Sequence, residues 1–254
     1  MPRPDDVRQV ARWLQSAEST VAFTGAGIST ESGIPDFRSP GGIWAKSQPV
    51  MYPDFLADPE ARREYWRQKS EAHRDFADAE PNPGHRVLGD WEQRGLLQGV
   101  ITQNIDGLHQ AGGSRNVLEL HGTARAIACL DCQKRYDPEP LVKEFLETGL
   151  VPQCPECGGI LKHATISFGQ QLPAELLEKA FQWSGRSDLF LAIGSSLVVE
   201  PAASLPRLAQ RSGARLVIIN RDPTPQDTIA DVVLHDGIGE VLTAIDEALS
   251  QEAA

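Results

Sequence analysis

Seven short apolar runs punctuate the chain, and helical stretches stand between most of them. The runs cover residues 20–26, 100–104, 116–121, 164–168, 188–194, 215–220 and 231–234 and are built largely from Val, Ile, Leu and Phe. Strands this short and this apolar are buried on both faces, and helical crossovers make neighbouring strands run parallel. The fold class expected is therefore α/β, a parallel sheet covered on both sides by helices. Over 5–17, Val7, Val10, Ala11, Leu14 and Ala17 fall at helical spacing, with Asp5 and Asp6 at the end of the helix dipole that favours acids. Further helices are expected over 58–78, where Tyr65, Trp66 and Phe76 anchor a charged stretch, and from the turn at 81–84 to about 94. Three more are expected over about 173–183, 201–211 and 238–250.

Ligands of such sheets sit beyond the carboxyl ends of the strands. Polar residues collect there: Gly25 and Gly27, then Gln103, Asn104 and Asp106, then His121, then Gly194, Ser195 and Ser196, then Asn220, Arg221 and Asp222. One such end is ordinarily only a turn; five point to a common crevice. Gly25-Ala26-Gly27 lets backbone N–H groups approach a diphosphate. The third glycine of a dinucleotide fingerprint is missing, because Thr30 stands in its place, so the first crossover is altered.

All four cysteines lie in two C-x-x-C pairs, Cys129/Cys132 and Cys154/Cys157. Two such knuckles fit one tetrahedral Zn²⁺, and four thiolates close its coordination shell, so the metal is expected to be structural. A redox role for the pairs is the alternative, disfavoured by their number and spacing. The segment 125–162 is too small to hold together without metal.

The net charge of −11 does not suit a nucleic-acid backbone; it either favours cationic partners such as Lys-rich segments or simply keeps the chain in solution. The opening MPRPDDVRQV does not read as a secretory signal, and no run of about 18 apolar residues marks a membrane span. No nucleic-acid or membrane partner is expected, and the expected location is cytoplasmic. Among the histidines, His73 is expected to be solvated, and His85, His109, His163 and His235 carry no assigned chemistry. His121 ends an apolar strand before Gly122, where it either caps backbone groups or serves as a general base.

Taken together, GAGIS (25–29), GIPDFR (33–38), TQNIDGLH (102–109), ELHG (119–122), the paired C-x-x-C, GSSL (194–197) and NRD (220–222) resemble the sirtuin family of NAD-dependent protein lysine deacylases, over about 18–245 and in the family's order. The resemblance implies a Rossmann-like NAD-binding domain (1–38, 81–124 and 163–254) and a small domain made of a helical insertion (39–80) and a zinc-binding module (125–162). It implies that Gly25 and Gly27 serve the diphosphate. Ala26, Ile34, Phe37, Asn104, Ile105 and Asp106 would line a nicotinamide pocket, with Asp36 and Arg38 holding the loop and Gln103 at the ribose. Gly194, Ser195 and Ser196 would hold phosphate and the second ribose; Asn220, Arg221, Asp222 and Ile238 would lie on the adenosine side. His121, with Asn104 and Asp106, would carry the catalysis. An acyl-lysine peptide would add as a strand in the cleft, against Phe168, Gly169 and Val198.

The implied reaction releases nicotinamide and passes the acyl group to ADP-ribose, with deacetylation foremost. Protein ADP-ribosyl transfer from the same site and a non-catalytic NAD-sensing scaffold are the alternatives. Two departures concern substrate choice. Trp66 and Lys69 stand where some branches place a Tyr and an Arg for acidic acyl groups, which argues against a desuccinylase. The segment 162–169 lacks the usual proline and is followed by Gln170 where an acid is common.

Overall fold

The computed structural model describes residues 2–36, 42 and 48–252. Helix α1 (Pro4–Ser16) begins with proline in its first turn beside Asp5 and Asp6, and buries Val7, Val10, Ala11 and Leu14. Six parallel strands follow the order β3 (Val117–Glu119), β2 (Gly99–Thr102), β1 (Thr20–Thr24), β7 (Leu189–Ile193), β8 (Arg215–Ile219), β9 (Val232–Leu234). Alternation along each strand divides the core in two. On one face Ala22, Val100, Leu191 and Val217 pack with α1, α4 (Pro83–Gln93) and α9 (Ile238–Glu252). On the other, Val21, Phe23, Ile101, Phe190 and Ile218 pack with α7 (Ala174–Arg186) and α8 (Ser204–Arg211). From β1 the chain steps outward to β2 and β3, and from β7 outward the other way to β8 and β9. The switch point, where a crevice opens, is thus between β1 and β7.

A second sheet is antiparallel, in the order β5 (Arg135–Tyr136), β4 (Gly122–Cys129), β6 (Leu161–Thr165). The strand expected over 164–168 corresponds to β6, which pairs with β4 and lies outside the parallel sheet. Its apolar residues suit either sheet; what decides is a partner strand whose own run, 122–129, was not apolar enough to read. The boundaries expected at 124/125 and 162/163 fall inside β4 and β6.

The helical insertion and the cysteine segment share one core. In it, α2 (Tyr52–Ala57) and α3 (Pro59–Ala77) contribute Phe55, Tyr65 and Trp66, α6 (Pro138–Thr148) contributes Phe145, and the small sheet contributes Ile127, Cys129 and Leu161. Trp66 Nε1 donates to the Leu161 carbonyl at 3.2 Å, satisfying the one polar atom of a buried indole. Helix α3 starts where Asp58 accepts from Glu60 N at 2.9 Å and Pro59 takes the first turn. His73 is not solvated: its side chain is 16% exposed and its Nε2 lies 2.9 Å from Glu139, tying α3 to α6. Beside this core, Lys162 is buried and donates to the carbonyl of Thr165, with its ammonium also over the rings of Tyr52 and Tyr65. Burial holds Lys162 down at about 7 and Lys69 at about 8.

Candidate active site

The turns that follow β1 and β7 meet backbone to backbone. Gly25 N donates to the Ile193 carbonyl at 3.0 Å and Gly27 N to the Gly194 carbonyl at 2.8 Å. A Cβ on Gly27 would stand 2.8 Å from Gly194 Cα, and one on Gly194, where φ is +64°, would stand 2.4 Å from Ile28 N. Close approach of a diphosphate was the reason expected for the glycines; the mutual approach of the two turns is a second one. After β1 the chain enters a 3-10 helix, Ala26–Ser32, and reaches the α-helix that packs on the sheet, α4, only at Pro83. This is the altered first crossover that Thr30 signalled.

Behind that turn lies a buried polar network. Asn104 Nδ2 donates to the Gly25 carbonyl and to Ser29 Oγ, each at 3.1 Å, and its backbone N donates to Thr102 Oγ1 at 3.0 Å. Asp106 accepts from Ser29 Oγ at 2.7 Å and from Leu108 N at 2.9 Å. Both Asn104 and Asp106 are buried. Ile34, Phe76, Leu108 and Ala124 form an apolar cluster with Ile105 packed against it. Phe37 and Arg38 lie outside the described residues.

His121 sits at the end of β3, and three backbone contacts fix its surroundings. Leu120 N donates to the Thr102 carbonyl at 2.9 Å, Ile166 N to the His121 carbonyl at 2.7 Å, and Ala124 N to the Ile105 carbonyl at 2.8 Å. The next residue, Gly122, has φ +72°, and a Cβ there would fall 2.1 Å from the Ala164 carbonyl oxygen of β6, the strand paired alongside it. His121 Nδ1 lies 2.9 Å from the Gln103 carbonyl. A carbonyl only accepts, so Nδ1 carries the proton and Nε2 holds the free lone pair of the neutral ring. Burial keeps the His121 pKa below the ordinary imidazole value, with the Gln103 carbonyl opposing it.

The remaining expected residues fall around the same edge. Gln103 Nε2 donates to Ser195 Oγ at 2.8 Å, which links the ends of β2 and β7 across β1. Ala26, Asp36 and Ser196 are half-buried. Asn220 Nδ2 donates to the Asp222 carbonyl at 2.6 Å, and Arg221 and Asp222 are exposed beyond β8. Ile238 is buried, and its Cδ1 would stand 3.0 Å from a Cβ on Gly194, so α9 closes on the β7 turn. Phe168 and Val198 are exposed at 41% and 50%. Tyr52 N donates to the Phe168 carbonyl at 2.8 Å, and Gly169 faces Pro53. Sequence reasoning passed over Ser29, His85, Thr24, Thr102 and His109. His109, on the short helix α5 (Leu108–Ala111), has its Nε2 2.8 Å from Thr24 Oγ1, which donates to Thr102 Oγ1 at 2.8 Å. Ser29, Thr102 and His109 stand inside the GAGIS and TQNIDGLH motifs without an assigned part, and the Asn82-x-x-His85 spacing of a capping box was the signal for His85.

Three buried histidines give the protein a defined acid limit. Burial holds His85 near 4, and burial holds His109 and His163 each near 3. All lie below the unfolded value near 6.5, so the unfolded chain binds more protons once the pH drops beneath that value. Stability is thus expected to fall from about pH 6.5 toward pH 4, at roughly 1.4 kcal/mol per pH unit for each histidine. Thermal melts at pH 7, 6 and 5 check this, and an unchanged midpoint across that span contradicts neutral burial.

The four cysteine sulfurs lie within 4.8 Å of one another. Cys129 and Cys157 Sγ are 3.6 Å apart and Cys132 and Cys154 Sγ 3.7 Å, too far for disulfides. Zn–S bonds of about 2.3 Å in a tetrahedron put sulfurs about 3.8 Å apart, so the cluster has the dimensions of a closed zinc site. Tyr136 Oη stands 3.0 Å from Cys154 Sγ, where it can support a thiolate.

A switch-point crevice in a parallel nucleotide-type sheet, with a four-thiolate module inserted beside it, defines a Rossmann-like protein carrying a structural metal domain. The Sir2 family model matches residues 25–201, and the chain belongs to that family. It is 46% identical over 239 residues to an NAD-dependent protein deacetylase of Thermodesulfovibrio yellowstonii, covering 94% of this chain and 93% of that one. Among solved structures, a Sir2 protein with a p53 peptide and NAD⁺ superposes with TM-score 0.87 at 38% identity, covering 97% of this chain and 98% of the other. A Sir2 variant with deacetylated p53 peptide and 3′-O-acetyl ADP-ribose superposes with TM-score 0.87 at 37% identity, covering 95% and 97%.

Proposed function

We propose that the crevice takes NAD and an acyl-lysine peptide and acts as an NAD-dependent protein lysine deacylase, with acetyl the foremost acyl group. The reading agrees with the activities and ligands named for the relatives above. The observation that carries it is the tautomer of His121, whose Nδ1 is committed to the Gln103 carbonyl while Nε2 keeps a lone pair at the crevice edge.

The residues present fit both groups. An aromatic amide needs an acceptor for its NH₂ and apolar walls for its ring, and the buried Asp106 carboxylate beside Ile34 and Ile105 offers both. Four thiolates at tetrahedral spacing suit zinc and leave no open position for chemistry on it. When bound, NAD supplies a ribose that gives up nicotinamide and accepts the acyl group. The protein's own part is to hold and exclude. Asn104 and Asp106 orient the amide end, the 25–27 and 194–196 turns hold the phosphate and ribose groups, and His121 Nε2 takes a proton from a ribose hydroxyl. Phe168, Gly169 and Val198 line the peptide's path, where the exposed apolar side chains of Phe168 and Val198 suit an added strand. Among the described residues no helix is long and apolar enough to cross a membrane. A cytoplasmic setting, with the thiols kept for metal, belongs to the same proposal.

The test is incubation with NAD and a panel of acylated peptides, following nicotinamide and free lysine together. Acetyl or a longer apolar acyl group is expected to turn over best and succinyl poorly. Label from NAD that accumulates on protein, with no free acyl-ADP-ribose, would favour ADP-ribosyl transfer instead. Preferential loss of succinyl would contradict the expected acyl choice.

A further inference from the structure

Behind Asp106 stands a buried imidazole to which the proposed reaction assigns no part. His85 is fully buried in the first turn of α4. Its Nδ1 lies 3.3 Å from the backbone N of Asn82. A backbone N–H only donates, so Nδ1 is the acceptor and the single proton of the neutral ring sits on Nε2. That Nε2 is 3.5 Å from Ser29 Oγ. The hydroxyl oxygen already receives Asn104 Nδ2 at 3.1 Å and sends its own proton to Asp106 at 2.7 Å. The ring is held in place by an edge-on contact with His109, centroids 4.9 Å apart, and its backbone and Cβ lie against Gly112, where an added Cβ would stand 3.0 Å from them. Burial favours the neutral ring this arrangement needs.

We infer that His85 is a positioning residue for the nicotinamide pocket. By pointing Nε2–H at Ser29 it fixes the serine hydroxyl so that it donates to Asp106, and thereby sets which Asp106 lone pairs face the incoming amide. The direction of the chain runs from Asn82 N–H to His85, from His85 to Ser29, and from Ser29 to Asp106. Asn82 also donates to the Ile28 carbonyl at 2.7 Å and to Ser32 Oγ at 3.0 Å, so the turn at 81–85 is pinned to the 3-10 segment that carries Ser29. The inference rests on the proposal that Asp106 meets nicotinamide.

The two halves of the imidazole are separable by substitution. Asparagine mimics Nδ1 and keeps the acceptor for Asn82 N–H, whereas glutamine sets an N–H where Nε2 stands. His85→Asn is expected to raise the inhibition constant of nicotinamide and KM for NAD by about tenfold, the scale of one buried hydrogen bond. KM for the peptide should stay as in the wild type, and His85→Gln should recover much of the nicotinamide affinity. Because the effect passes through Ser29, adding His85→Asn to Ser29→Ala is expected to cost nothing further. Melting midpoints of each variant serve as the control. A merely structural role gives losses that follow the melting midpoint, move both KM values together and add in the double variant; that pattern overturns the inference while leaving the pocket assigned. A wild-type protein that releases no nicotinamide, and is not inhibited by it, overturns the pocket assignment and the inference together.

Discussion

Replacing His121 with alanine is expected to cut acyl transfer by about 10²–10⁴-fold, the usual worth of a positioned general base. The protein should fold and bind NAD nearly as before. The ring is half-buried and bonds to one carbonyl, so its removal leaves only the Gln103 carbonyl short of a donor at an edge that water can reach. A sugar hydroxyl is a poor nucleophile until its proton is taken, and Nε2 is the basic lone pair set for that step. Exchange of labelled nicotinamide, which asks for no such proton, is expected to persist in the variant. The pH profile should carry the same signature. Burial lowers the His121 pKa, so the base is free at neutral pH and the acidic limb of the wild-type rate lies below the ordinary imidazole range. Single-turnover release of lysine checks the loss, and turnover at the wild-type rate would remove His121 from the reaction.

Much of this site was legible because parallel sheets announce their working edge. Each apolar run ends in polar residues, and the five ends that read as one crevice belong to five adjacent parallel strands. The cysteine spacing was equally direct, since four thiolates in two knuckles have few arrangements other than a metal site. What stayed hidden is long-range. The residues of 164–168 suit a strand of either sheet, and only the pairing of Gly122 with Thr165 assigns them to the small one. His73 looked solvated because its partner, Glu139, is 66 residues away. The Ser29–His85 contact spans 56 residues, and no local period marks a polar side chain as buried when its partners come from other segments. Gly27 and Gly194 show the reverse limitation. The sequence pattern found the glycines but offered a ligand as their reason, where the backbone of the opposing turn supplies another.

Removal of zinc is expected to unfold the small module and abolish activity, even though the metal touches no reacting atom. Cys129 and Cys154 are part of the core that also contains Phe55, Trp66, Phe145 and Leu161. Structural zinc contributes on the order of 10–16 kcal/mol to the folding of small modules, so a three-strand sheet cannot replace it by packing. The parallel sheet has its own two cores and should keep its helices and strands. The link to catalysis is backbone. β4 begins directly after His121, β6 pairs with it, and Ile166 N, just past β6, holds the His121 carbonyl at 2.7 Å. Loss of the small sheet frees the strand end that aims the imidazole. Cys132→Ser should therefore weaken zinc retention against a chelator, expose 125–162 to protease and quench the near-ultraviolet signal of buried Trp66, with far-ultraviolet signal largely kept. Lysine release should fall in step with zinc content. A metal-free protein that resists protease across 125–162 and still deacylates would show that packing alone holds the module, and the connection from thiolates to His121 would be broken.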